Sequence, residues 1–112
     1  MMQLTELKQD TVTIMQVAGR LDAQTKPEFL RRGAAAVARG EHRFVIDCRQ
    51  LEYLSSGGLR ACFALGQQLP PGGTLVFAGP NDNVRKVMVV VELDRDYPVI
   101  ADFTAALAAA RT

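Results

Sequence analysis

Short apolar runs alternate with segments of helical spacing along this chain, and that alternation limits the possible folds more than any other feature. Val12-Thr13-Ile14-Met15-Gln16-Val17-Ala18 is rich in β-branched residues and ends at Gly19, so it reads as a strand. Residues 3–8 read as its antiparallel partner, with Gln9-Asp10 as the turn between them. Phe44-Val45-Ile46-Asp47-Cys48 and Thr74-Leu75-Val76-Phe77-Ala78 lack polar alternation, which suits strands buried on both faces. Tyr97-Pro98-Val99-Ile100 reads as a short last strand that Pro98 assigns to a sheet edge.

The segments between these runs carry helix signals. Thr25 and Glu28 have capping-box spacing, and Pro27 falls in the first turn, where a missing N–H costs nothing. Phe29, Leu30, Ala34 and Val37 form the apolar face of that helix, and Gly40 ends it. Leu59, Cys62, Phe63 and Leu69 predict a second helix over about residues 57–68, stopped by Pro70-Pro71-Gly72-Gly73. Asn81-Asp82-Asn83 offers caps for a short helix through Val84, Val87 and Met88, although Val89-Val90-Val91 suits a strand equally well. Asp102 caps an alanine-rich last helix over residues 103–110. The order β-β-α-β-α-β-α-β-α implies an α/β fold: a mixed, mostly parallel sheet of about five strands with about four helices packed against it. Residues 1–112 read as one domain, with Phe29, Phe44, Phe63, Phe77 and Phe103 in its core.

Charge and composition narrow the function. Thirteen basic and 12 acidic side chains leave a net charge of +1. The basic clusters are only pairs, Arg31-Arg32 and Arg85-Lys86, so no stripe for nucleic acid is visible. Cys48 and Cys62 fall in predicted core elements and read as reduced, buried thiols; with one histidine, His42, they make no metal site. The start of the chain lacks the apolar core of a signal peptide, and no run could span a bilayer, so a cytoplasmic protein without membrane insertion is expected. No phosphate-binding glycine loop and no Gly-x-Ser-x-Gly elbow occur, so neither an enzyme nor a cofactor is expected.

The remaining signal is Leu54-Ser55-Ser56-Gly57-Gly58-Leu59-Arg60. Two hydroxyls and two glycines stand where the second helix begins, where free backbone N–H groups and the positive end of the helix dipole are presented. One serine is explained as an N-cap, contributing about 1 kcal/mol. Two glycines in the first turn cost up to about 1 kcal/mol each relative to alanine, which points to a close approach by a partner or to a strained turn. Arg60 reads either as a solubilising charge or as an ion pair with a partner, and Asp22 as a turn aspartate that closes the second strand near the same sheet end.

The chain resembles the anti-sigma factor antagonist family, the bacterial branch of the STAS domain (sulfate transporter and anti-sigma antagonist). The resemblance rests on Gly19-Arg20-Leu21-Asp22, Phe44-Val45-Ile46-Asp47, Leu51 through Leu59, the Gly79, Asn83-Val84 and Val87 segment, and Tyr97-Pro98-Val99. It implies a binding protein rather than an enzyme. Its partner would be an anti-sigma factor, a serine kinase of the histidine-kinase-like ATPase type, with a serine phosphatase reversing the modification. It also implies partner contacts at Asp22 and at Ser55, Ser56, Gly57 and Gly58, beside which Arg60 stands as the candidate ion pair read from its place on the helix. The commonest family form reads Asp-Ser-Ser-Gly-Leu. Aligned on Gly58-Leu59, that form places Ser55 on the aspartate, Ser56 on the first serine and Gly57 on the usual phosphate acceptor. Three readings stand: phosphate on Ser56 or, second, Ser55; a constitutive binder without phosphate; or the small accessory subunit of a lipid-transport ABC ATPase, where a hydroxyl residue followed by Gly-Gly fills this loop. A domain that takes a small ligand, such as a nucleotide or lipid, at the second helix is a further alternative.

Overall fold

The computed structural model describes residues 1–111. The chain opens as a hairpin of β1 (Met2–Gln9) and β2 (Val12–Leu21), paired antiparallel from Met2 opposite Gly19 to Gln9 opposite Val12. Asp10 turns the hairpin at φ 55°, a left-handed conformation that aspartate tolerates better than most residues. β2 runs through Gly19 to Leu21, beyond the end predicted from sequence. Gly19 remains in the strand at φ 92°, where a Cβ would lie 2.3 Å from the Met1 carbonyl oxygen.

Then follow α1 (Lys26–Ala38), β3 (Arg43–Asp47), β4 (Leu51–Leu54), α2 (Ser56–Gln67) and β5 (Thr74–Ala78). The chain finishes with α3 (Asp82–Val90), α4 (Leu93–Asp96), β6 (Val99–Ile100) and α5 (Phe103–Arg111). The sheet order is β1-β2-β3-β5-β6, parallel apart from the opening hairpin, with β4 also pairing β2. The fold is thus a single α/β domain with one strand, β4, and one short helix, α4, more than the sequence predicts.

The apolar runs of β3 and β5 alternate between two buried faces. Phe44, Ile46, Leu75 and Phe77 meet Phe29, Leu65, Met88 and Leu93 in the main core, on the face that α1 and α2 cover. Val45, Val76 and Ala78 face the other way, with Val12 and Ile14, under Ala106, Leu107 and Ala110 of α5. Of the five phenylalanines, Phe29, Phe44 and Phe77 are fully buried, while Phe63 and Phe103 are only partly so. The buried stripe of α1 is Phe29, Gly33 and Ala36, rotated from the predicted one: Leu30 and Val37 flank it and Ala34 is exposed. Gly33 lets α2 approach, since a Cβ there would lie 2.7 Å from Leu65 Cδ1. The ambiguous valines are helical or just past the helix, and all three are exposed.

Candidate functional site

The site is built by a break in a strand. β3 runs beside β2 as far as Gln16 opposite Asp47, and the chain then leaves the ladder over residues 48–50. It returns as β4, with Leu51 opposite Gly19, Tyr53 opposite Arg20 and Leu54 opposite Leu21. The register shifts between Gly19 and Arg20. Arg49 pins the break: its backbone N–H donates to Asp47 Oδ1 at 3.1 Å, and its guanidinium grips both carboxylate oxygens at 2.9 Å. The hydrogen bond to Asp47 raises the Arg49 pKa, so the guanidinium stays charged. The same guanidinium stacks 4.0 Å above the Phe103 ring at the start of α5. On the far side, Asn81 caps α3 by accepting from Val84 N at 2.8 Å, and its amide donates to the Leu51 carbonyl at 3.2 Å.

β4 delivers the chain to α2. Ser55 donates its backbone N–H to the Leu21 carbonyl at 3.1 Å and adopts an extended conformation. Its hydroxyl accepts from Gly58 N at 3.1 Å, and its carbonyl accepts from Leu59 N at 2.9 Å. Ser55 is therefore the N-cap, and its side chain is engaged inside the fold. Ser56 is the first helical residue and is exposed. Its N–H and that of Gly57 have no acceptor within the helix, so the positive end of the dipole opens beside the Ser56 side chain. Arg60, also exposed, lies one turn further along the same side of α2.

The two glycines have an internal cause that the sequence did not reveal. At Gly58, which is buried, a Cβ would sit 2.3 Å from the Leu21 carbonyl oxygen and 2.8 Å from Leu54 Cδ1. At Gly57 a Cβ would sit 3.3 Å from the Ala23 backbone. The approach that demands glycine is that of the end of β2, rather than that of an incoming molecule.

Asp22 closes β2 as a turn residue. Its Oδ1 accepts from Gln24 N at 3.0 Å and Thr25 N at 3.1 Å, and Arg20 Nε lies 3.6 Å from Oδ2. Desolvation pushes this carboxyl up, but the amides of Thr25 and Gln24, the Thr25 hydroxyl and the Arg20 charge together hold it below the ordinary value. Thr25 is correspondingly not a side-chain cap for α1, as the capping-box spacing predicted. Its hydroxyl donates to the Arg20 carbonyl at 2.9 Å and accepts from Asp22 N at 2.9 Å.

The structure thus gathers Asp22, Ser55, Ser56, Gly57 and Gly58 around one helix turn, with Arg60 on its outer flank. It adds two residues that the sequence did not flag. Arg20 lies 4.1 Å over the ring of Tyr53, and Tyr53 is 43% exposed. Both were hidden because β4 was not recognised as a strand. An open groove of about 580 Å³ lies nearby, lined by Gly19, Arg49, Gln50, Glu52 and Asn81 among others but not by either serine.

Cys48 and Cys62 are free and buried. Burial pushes the Cys62 thiol up to about 12; burial, then Cys62 and Asp47, push Cys48 well above the ordinary thiol range. Among the described residues no cluster of His, Cys, Asp and Glu could hold a metal ion, and no helix is long and apolar enough to cross a membrane.

Comparison with known proteins agrees with this geometry. The family model described as "Mlab, STAS domain" matches residues 4–108. The Bordetella bronchiseptica protein named "Putative anti-sigma factor antagonist BtrV" is 33% identical, over 99% of this chain and 97% of that one. The crystal structure of an anti-sigma factor antagonist from Mycobacterium paratuberculosis superposes with a TM-score of 0.94 at 25% identity, over 100% of this chain and 96% of that one. The Bacillus cell fate determinant SpoIIAA in its phosphorylated form shares the fold at 17% identity, with a TM-score of 0.73 over 96% of this chain and 97% of that one. The chain belongs to the STAS-domain anti-sigma factor antagonist family, whose members are non-catalytic binding proteins.

Proposed function

We propose that this protein is an anti-sigma factor antagonist that docks the first turn of α2 on an anti-sigma factor of the histidine-kinase-like ATPase type. In this reading the partner is also a serine kinase, a phosphate on Ser56 ends the complex, and a serine phosphatase restores it, all in the cytoplasm. The observation that carries the proposal is the division of labour between the two serines. Ser55 is consumed as the cap, whereas Ser56 offers an exposed hydroxyl at the first helical position. The 33% identity to the Bordetella protein supports the same class of function.

The electrostatics support a local switch. A phosphate brings about −1.5 to −2 charges. On its own molecule it faces the free amides of the first turn, which tolerate an anion. Across an interface the same group must lose water or meet acidic neighbours, and binding fails without any refolding. Asp22, Gly57, Gly58 and Arg60 frame this surface in the proposal, Gly58 through the backbone approach it permits.

The test uses purified ATPase-type anti-sigma factors encoded in the source genome, each titrated against the wild-type chain by calorimetry and then incubated with it and ATP. Tight binding to one of them and a single phosphate on Ser56 are expected. Absence of binding to any of them overturns the proposal. Tight binding without phosphate leaves a constitutive binder, which Gly57 at the usual acceptor position favours. Ser56-Gly57-Gly58 also favours a second reading, the accessory subunit of a lipid-transport ABC ATPase. Binding to a purified ABC ATPase of the same genome, and to none of the kinases, would select it.

A further inference from the structure

We infer that Arg20 and Tyr53 form the anchor of the docking surface, and that they select a partner segment presenting a carboxylate beside an apolar side chain. This inference rests on the anti-sigma antagonist reading of the α2 entrance and names the part of the surface that determines specificity.

The pair is assembled by the sheet. Arg20 and Tyr53 are register neighbours on adjacent parallel strands, so their side chains leave the sheet on the same face. Leu21 and Leu54, the next register pair, point the opposite way and are buried in the main core. The guanidinium lies 4.1 Å over the tyrosine ring, within the range of a cation–π contact. Both groups nonetheless stay open, with 51% of the Arg20 side chain and 43% of Tyr53 accessible. A stacked arginine on a rigid strand pair has already lost much of the side-chain freedom that binding would otherwise cost. Tyrosine and arginine are also the residue types over-represented among binding hot spots.

The surface is continuous with the α2 entrance. Tyr53 leads through Leu54 to Ser55 and Ser56, and Leu21, which follows Arg20, accepts the Ser55 N–H. Charge at this edge fixes the sign of the partner. Asp22 is already occupied by two backbone amides, the Thr25 hydroxyl and Arg20, so its carboxylate has little to offer a cation. Arg20 Nε lies 3.6 Å from Asp22 Oδ2, and with half of the side chain accessible the guanidinium can still take a planar carboxylate from outside. The tyrosine ring supplies the apolar floor beside it. Glu52, the exposed acidic neighbour on β4, lines the groove with Met1 and Gln3. The partner therefore needs a carboxylate over Arg20 and an apolar contact on Tyr53. A phosphate added at Ser56 would raise the negative charge close to that incoming carboxylate, which links the anchor to the switch.

The test titrates Arg20→Met, Arg20→Glu and Tyr53→Ala against the anti-sigma factor that binds the wild-type chain. Affinity is expected to fall about tenfold or more for Arg20→Met and Tyr53→Ala, and further for Arg20→Glu, which repels the carboxylate. Melting temperatures should stay within about 3 °C of wild type, because both side chains are exposed. The wild-type complex should weaken with added salt, and the Arg20→Met complex should be less salt-sensitive. Wild-type binding with unchanged affinity in the Arg20 variants overturns the anchor while the antagonist reading stands. Stronger binding by Arg20→Glu overturns the acidic partner. No binding by the wild-type chain to any anti-sigma factor overturns both.

Discussion

Replacing Gly58 with alanine should destabilise the protein, although alanine is the better helix former. The added methyl would lie 2.3 Å from the Leu21 carbonyl oxygen, 2.9 Å from its carbonyl carbon and 2.8 Å from Leu54 Cδ1. The Leu21 carbonyl is already engaged by Ser55 N–H, so it cannot swing aside without releasing the cap that starts α2. Forcing a methyl into a packed contact of this kind costs roughly 1–3 kcal/mol, against a helix-propensity gain of up to about 1 kcal/mol. The net expectation is a loss of about 1–2 kcal/mol, or a melting temperature lowered by about 4–10 °C for a domain of this size. Gly57→Ala is the internal control. Its methyl meets the Ala23 backbone at 3.3 Å, a contact that a small shift relieves, so stability should stay within about 0.5 kcal/mol of wild type. Urea titration of both variants, with unchanged slopes, measures the difference. If Gly58→Ala is as stable as wild type, or Gly57→Ala is the more damaged of the two, the packing account of the glycine pair is wrong.

Further outcomes follow from the same geometry. Ser55→Ala removes the N-cap and should cost about 1 kcal/mol in denaturant unfolding, whereas Ser56→Ala should cost less than about 0.5 kcal/mol. Glu41 is held below its ordinary value of 4.5 by Lys8, which outweighs desolvation, with help from Thr13 and Arg39; Asp22 is held below 3.8 by the bonds described above. Both pKa values are lower in the folded state, so the stabilisation is complete above the ordinary values and is lost as pH falls through the folded ones. Asp22→Asn and Glu41→Gln should therefore flatten the acid limb of a stability profile recorded between about pH 2 and 6. Cys48 and Cys62 should resist a thiol reagent at about pH 8 in the folded protein and react together on unfolding, a result read by absorbance.

The α2 entrance could be read from the chain, but its construction could not. A serine cap at the α2 entrance, the hairpin, Gly40 as a stop at φ 97° and Asp102 as the cap of α5 all depend on groups a few residues apart. β4 escaped notice because Leu51 and Leu54 are buried and Glu52 and Tyr53 are exposed, a spacing that resembles one turn of helix. It is a strand only because β2 supplies a ladder more than thirty residues away in sequence. Thr25 failed as a side-chain cap for a related reason: Asp22 and Arg20 at the end of β2 compete for its hydroxyl, and only the turn geometry decides that competition.

Periodicity and local chemistry determined the class of fold, the main strands and helices, and the exposed entrance of α2 where docking is proposed. These follow from which residues can bury themselves and which backbone groups need caps, and both are properties of short stretches. The tertiary structure alone decided why the α2 turn carries two glycines, which serine is left open, and that Arg20 stacks on Tyr53. Each of those depends on the closeness of β2 and the segment after β3. That closeness arises from the packing of the whole sheet, which a single stretch of sequence does not encode.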